Sequence, residues 1–170
     1  MNAIQTTYNG RCFRSRGEAR FAVFCDACQL RYVYEAEGFW LEEAGKYLPD
    51  FLLPGLNLWF EVKSEQPERK AILKCECLAA ETLKRVAMSC SSPGLETMIL
   101  CFSPGWSGHT IHTMPEFFMQ WLRPHIVLPA IERAQDARFE YGETPNVVPL
   151  PQRALGHKLL TKSDRANVPF

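Results

Sequence analysis

The run from Tyr47 to Lys63, Y-L-P-D-F-L-L-P-G-L-N-L-W-F-E-V-K, constrains the fold more than any other part of the chain. It holds two apolar stretches, Tyr47 to Leu53 and Leu58 to Lys63, with the turn signal Pro54-Gly55 between them. The two stretches read as the arms of a β-hairpin. Three charges interrupt the apolar pattern: Asp50 on the first arm, Glu61 and Lys63 on the second. Side chains at alternate positions of a strand share a face, so Glu61 and Lys63 point one way while Phe60 and Val62 point into the opposite, apolar layer. Packing does not explain a charged pair on such a strand.

The rest of the chain supplies a setting for this hairpin. Residues 1–13 read as a polar lead-in. Residues 15–30 read as a helix, with Ser15 as N-cap and Phe21, Phe24, Cys25 and Cys28 at helical spacing. Residues 31–37 read as a strand, and Ala44-Gly45 as a turn before the hairpin. Residues 67–88 read as one long helix opened by Pro67, with Ile72, Cys75, Ala79, Leu83 and Val86 as its buried stripe. Ser91 to Gly94 reads as a loop and Thr97 to Phe102 as an inner strand. Residues 103–113 read as a loop with an edge strand. Pro115 to Leu122 and Leu128 to Tyr141 read as helices, the second ended by Gly142. This order predicts an α/β fold with a central mixed β-sheet flanked by helices. The expected division is a core over 1–105, a C-terminal helical extension packing on it over 106–143, and a tail over 144–170. The tail has weak periodicity, contains prolines and carries Arg153, Lys158, Lys162 and Arg165 against Asp164, so it reads as extended, basic and open to disorder.

Composition narrows the class. With 46% apolar and 22% charged residues among 170, the chain is neither fully disordered nor collagen-like. Its apolar runs, such as Phe21 to Cys25, fall far short of the roughly 20 residues a membrane span needs. The start, M-N-A-I-Q-T-T-Y-N-G, has no apolar core of the secretory kind, so the seven cysteines read as reduced thiols of a cytoplasmic protein. Equal numbers of basic and acidic residues, 19 of each, exclude a strongly basic nucleic-acid coat but leave room for a local basic surface.

Chemistry then follows from Asp50, Glu61 and Lys63. Two carboxylates at close range repel unless a cation or proton lies between them. Hard divalent ions such as Mg²⁺ take oxygen ligands, usually one or two carboxylates with water and substrate phosphate. Such an ion polarises a phosphoryl oxygen and acidifies its water, while a nearby ammonium orients water and offsets developing charge. The combination points to phosphodiester hydrolysis.

P-D, a hairpin loop and E-V-K, preceded by a helical glutamate in S-R-G-E-A-R, resemble the PD-(D/E)XK nuclease superfamily. The resemblance covers roughly residues 8–88, with the Thr97 to Phe102 strand completing the core. It implies a restriction-endonuclease-like core in which Asp50 and Glu61 ligate Mg²⁺ (Mn²⁺ substituting) together with the Val62 carbonyl. It also implies that Lys63 positions or activates water and that Glu18 is an accessory carboxylate. The arrangement looks closest to small nucleases of phages and mobile elements and to the endonuclease subunit of heteromeric transposases. The implied activity is that of a Mg²⁺-dependent deoxyribonuclease, a DNA endonuclease of a mobile element or phage. The alternative is a nuclease-fold subunit that binds nucleic acid or protein and is inactive alone, either partner-dependent or an inhibitor of host defence. The partners implied are DNA and a protein partner or second copy, with no membrane.

Each feature also has a plainer reading. Ser15-x-x-Glu18 is a capping box, which alone accounts for a glutamate there. Lys70, Lys74, Lys84 and Arg85 suit a solvated helix face, although Lys70 and Lys74 could meet phosphate, as could Arg14, Arg16 and Arg20 near Glu18. Cys25-x-x-Cys28 and Cys75-x-Cys77 lie in expected helices, which favours small buried thiols over a zinc knuckle. His109-x-x-His112 has no third ligand nearby. Phe117, Phe118, Trp121 and Leu122 fall at helical spacing and read as core, whereas Trp106 is left as a candidate for base stacking.

Overall fold

The computed structural model describes residues 4–90 and 97–139. Its elements in chain order are β1 (Thr6–Tyr8), β2 (Arg11–Phe13), α1 (Arg16–Ala27), β3 (Val33–Tyr34), β4 (Phe39–Leu41), β5 (Gly45–Tyr47), β6 (Phe51–Leu53), β7 (Leu58–Lys63), α2 (Arg69–Thr82), β8 (Arg85–Cys90), β9 (Met98–Phe102), β10 (Thr110–Thr113), α3 (Met114–Phe118) and α4 (Pro124–Asp136). They fall into two compact units, one of residues up to Gln29 and from Pro115 onward, the other Leu30–Met114. The protein is α/β with a central mixed sheet, as the sequence predicts. The loop at Ser91 to Gly94, the Gly142 stop and the tail 144–170 lie outside the described residues.

The Leu30–Met114 unit holds a six-stranded sheet in the order β10-β9-β8-β7-β6-β3. Every pairing is antiparallel except β7 with β8, which run parallel. A parallel pair needs a long crossover, and α2 supplies it. Cys75, Leu78 and Ala79 of α2 pack with Trp59 of β7, Val86, Met88 and Cys90 of β8, and Leu100 and Phe102 of β9. The small β4–β5 sheet joins this core through Leu41 and Tyr47, and Phe39 meets the Trp59 ring edge-on at 5.4 Å. Leu58 and Phe60, on the other face of β7, are buried as well.

The hairpin turns where expected. Pro54–Leu56 forms a 3-10 turn, and Asn57 closes it in the left-handed region at φ 51°, which Asn tolerates better than most residues. The register pairs Phe51 with Phe60 and Leu53 with Leu58. The first arm is not the continuous strand the apolar run suggests. It breaks over Leu48-Pro49-Asp50, so β5 pairs with β4 and only β6 pairs with β7. Pro49 lacks a backbone donor and suits such a break.

Three further expectations are corrected. The helix expected over 67–88 ends at Thr82, and Leu83 takes the left-handed conformation at φ 53°. Residues Arg85–Cys90 form β8, a nearly fully buried strand in the middle of the sheet. A continuous apolar run fits a buried strand or a buried helix equally well, and no glycine marks the helix end. The polar lead-in contains the β1–β2 hairpin, turned by Asn9 and Gly10, both at positive φ; Asn-Gly is a strong signal for such a turn. The last described helix, α4, starts at Pro124 rather than Leu128, with Pro at its first position as helix geometry prefers.

In the other unit, Phe24 of α1 and Phe118 of α3 meet at 4.6 Å, and Tyr8 donates to Asp26 at 2.9 Å. Phe117, Phe118, Trp121 and Leu122 are buried, as their spacing predicts. Among the described residues, no helix is long and apolar enough to cross a membrane.

Candidate active site

The site is built where β6 stops pairing with β7. The main-chain N–H of Val62 is met there by a side chain: Asp50 Oδ2 accepts it at 2.8 Å. The main chain of Asp50 donates in turn to Glu61 Oε2 at 3.3 Å. The two acids are thus tied across the strands, and both are almost fully buried, at 3% and 4% exposure. A buried carboxylate is tolerated only when paired or hydrogen-bonded, and here each is.

Glu61 has several partners. Lys63 Nζ lies 2.7 Å from Glu61 Oε1, which confirms that the two share a face of β7. Tyr47 donates its hydroxyl to Glu61 Oε2 at 3.0 Å, and Cys75 Sγ lies 3.6 Å from the same hydroxyl. Ser89 of β8 donates to the Glu61 carbonyl at 3.4 Å. Burial opposes the charge on Lys63, but Glu61, by charge and hydrogen bond, and then Asp50 outweigh it, so its pKa is raised. Burial drives the Tyr47 hydroxyl and the Cys75 thiol well above their ordinary values, with Glu61 adding to both. Both stay protonated at neutral pH and serve as neutral hydrogen-bonding groups. The Lys63 side chain is 39% exposed, so it links the buried acids to the surface.

The other candidates fall in different places. Glu18 is buried at the start of α1, in the other unit. Its main-chain N–H donates to Ser15 Oγ at 3.1 Å, its Oε1 accepts from Ser15 Oγ at 2.9 Å, and its Oε2 accepts from the Arg14 main chain at 3.0 Å. That is a capping box reaching one residue further back than usual. In the same unit, Arg14 is exposed, Arg16 is half-buried, and Arg20 donates to the Ala137 carbonyl at 3.3 Å. Lys70 is exposed on the first turn of α2. Lys74, one turn on, places its ammonium 5.4 Å from the centre of the Tyr47 ring. Lys74 thus has a contact to a group of the Glu61 cluster in its own unit.

Cys25 and Cys28 are buried thiols at the end of α1, and burial pushes Cys28 up to about 12. Among the described residues, no group of three or more His, Cys, Asp and Glu side chains is arranged to hold a metal ion. The Asp50–Glu61 pair is a smaller donor set of a different kind. Asp50, Glu61 and Lys63 together carry one negative charge in excess, and their donors are oxygens, which suits a hard divalent ion that keeps most of its water.

Tyr47 and Cys75 were not legible as site residues, since both sit at positions that read as apolar strand and helix stripe. The usable signal is general: a buried tyrosine hydroxyl needs a partner, and Tyr47 lies three residues before Asp50. No protein-family model matches the chain, and no curated protein matches it.

Proposed function

We propose that this protein is a metal-dependent nuclease with a restriction-endonuclease-like core, hydrolysing phosphodiester bonds of DNA, of the kind found in phages and mobile elements. One observation carries the reading: two buried carboxylates, Asp50 and Glu61, are bound to each other's strands beside a part-exposed lysine whose ammonium is 2.7 Å from one of them. Burying two acids side by side is costly, and a structural purpose alone would be served as well by apolar residues. Asp50, Glu61 and the Val62 carbonyl are the groups that would hold Mg²⁺, or Mn²⁺ in its place. Bound there, such an ion supplies Lewis acidity toward a phosphoryl oxygen and lowers the pKa of water.

The residues of the chain divide the remaining work. Lys63, positively charged and part exposed, orients the attacking water and offsets charge growing on the phosphate. Asp50 fixes the end of β6 against β7 and so holds the distance between the two acids. For Glu18 the resemblance implies an accessory role in cleavage on top of its capping role. Lys74 and Lys70 on α2, and Arg14, Arg16 and Arg20 around α1, are the candidate phosphate contacts.

The test is a cleavage assay with supercoiled, linear and single-stranded DNA, with Mg²⁺ or Mn²⁺, beside Glu61→Ala. The expected result is cleavage by the wild type alone, with product topology separating nicking, double-strand cutting and exonuclease action. Equal cleavage by both proteins would overturn the site. No cleavage of any substrate would favour a subunit that acts only within a larger complex.

A further inference from the structure

Tyr47 is a group of the cluster to which the sequence assigns no chemistry. It is 8% exposed, and it sits on β5, outside the six-stranded sheet that carries Glu61. Its hydroxyl nevertheless meets Glu61 Oε2 at 3.0 Å and Cys75 Sγ at 3.6 Å, and Lys74 lies over its ring. The protons in this group can be assigned. The Tyr47 hydroxyl donates to Glu61 Oε2, so its single proton is committed there. Cys75 must then be the donor to the Tyr47 oxygen, which requires a reduced, protonated thiol. Burial keeps it so. The order is Cys75 S–H to Tyr47 O–H to Glu61 Oε2, while Glu61 Oε1 faces Lys63.

We propose that Tyr47 is a positioning residue for the proposed metal site: its hydroxyl fixes the rotation of the Glu61 carboxylate and couples it to α2 through Cys75. The inference rests on the nuclease reading of Asp50 and Glu61. Without the hydroxyl, Glu61 keeps Lys63 on Oε1 and the Asp50 main chain on Oε2, and Oε2 loses the shorter of its two donors. Groups that orient a metal-binding carboxylate typically contribute about 10- to 100-fold to metal affinity or activity. Tyr47→Phe removes only the hydroxyl and keeps the ring under Lys74.

The experiment measures the rise in melting temperature with Mn²⁺ concentration for wild type, Tyr47→Phe, Cys75→Ala and Cys75→Ser. Ligand-linked stabilisation reports affinity even for a variant of low stability, because binding to the native state raises its midpoint. Tyr47→Phe is expected to bind Mn²⁺ about 10- to 100-fold more weakly. Cys75→Ala is expected to lose only about twofold, since a thiol is a weak donor, and Cys75→Ser to restore wild-type affinity. Cys75→Ala keeps the Tyr47–Glu61 bond, so it also separates loss of packing around α2 from loss of the hydroxyl. Wild-type affinity in Tyr47→Phe, with wild-type binding intact, would overturn the positioning role and leave the proposed site standing. Absence of any Mn²⁺ effect on the wild type would overturn the site and the positioning role with it.

Discussion

Glu18 and Glu61 are both buried glutamates, and each has both carboxylate oxygens engaged, yet they arise in opposite ways. The capping bonds of Glu18 go to Ser15 and Arg14, within four positions of it. They close the first turn of α1 and satisfy donors that any helix start leaves open. Glu61 draws its partners from β5, from the end of β6 and from its own strand, up to fourteen residues away. No secondary-structure element requires those bonds. Burial of an acid is therefore not in itself a mark of function. The informative case is the acid whose burial no local rule explains.

The substitutions that sharpen this contrast begin with the acids of the hairpin. Glu61→Gln and Asp50→Asn are expected to cut DNA cleavage by about 10³-fold or more, since several kcal/mol of electrostatic stabilisation go with the charge. Circular dichroism and the melting curve should show both variants folded. Lys63→Met follows, with an expected loss of roughly 10²- to 10³-fold in rate, the scale for removing one group that meets charge in the transition state.

Glu18→Gln comes next. Glutamine serves the capping box as well as glutamate does, so the melting temperature should hold. The accessory role then shows as a loss of about tenfold in cleavage, at the low end for a supporting group. Full activity in Glu18→Gln would reduce Glu18 to its cap. Ser15→Ala breaks the cap from the other side. It is expected to cost about 1 kcal/mol in denaturant unfolding and to leave cleavage per folded molecule unchanged.

The smallest effect concerns Asp26, a half-buried acid further along α1. Burial raises its pKa above the ordinary 3.8, and the hydrogen bonds from Tyr8 and Asn9 only partly oppose this. A carboxyl whose folded pKa lies above its unfolded value costs stability once ionised, and the cost disappears as pH falls below the unfolded value. Asp26→Asn should therefore raise the melting temperature at neutral pH, with the gain fading as pH approaches 3.8.

Local rules account for what was readable in the sequence. The Pro54-Gly55 turn, the strand Leu58–Lys63 at its full length and the Ser15 cap all follow from residues within a few positions of each other. The shared face of Glu61 and Lys63 follows from strand period alone. What was not readable depended on distant partners. R-V-A-M-S-C has the apolar content of a helix stripe, and only its place between β7 and β9 makes it a strand. Tyr47 looks like one more apolar residue of the first arm, because its hydroxyl partner lies fourteen residues on in another sheet. Asn9-Gly10 is an exception, a local signal overshadowed by the polar residues around it.

The most direct test of the contrast is a calorimetric titration of Mn²⁺ into wild type, Asp50→Asn and Glu18→Gln. The expected outcome is saturable binding to the wild type, its loss in Asp50→Asn and its retention in Glu18→Gln. Undiminished binding to Asp50→Asn, or no binding to the wild type, would contradict the assignment of the Asp50–Glu61 pair as the metal-binding centre of a nuclease.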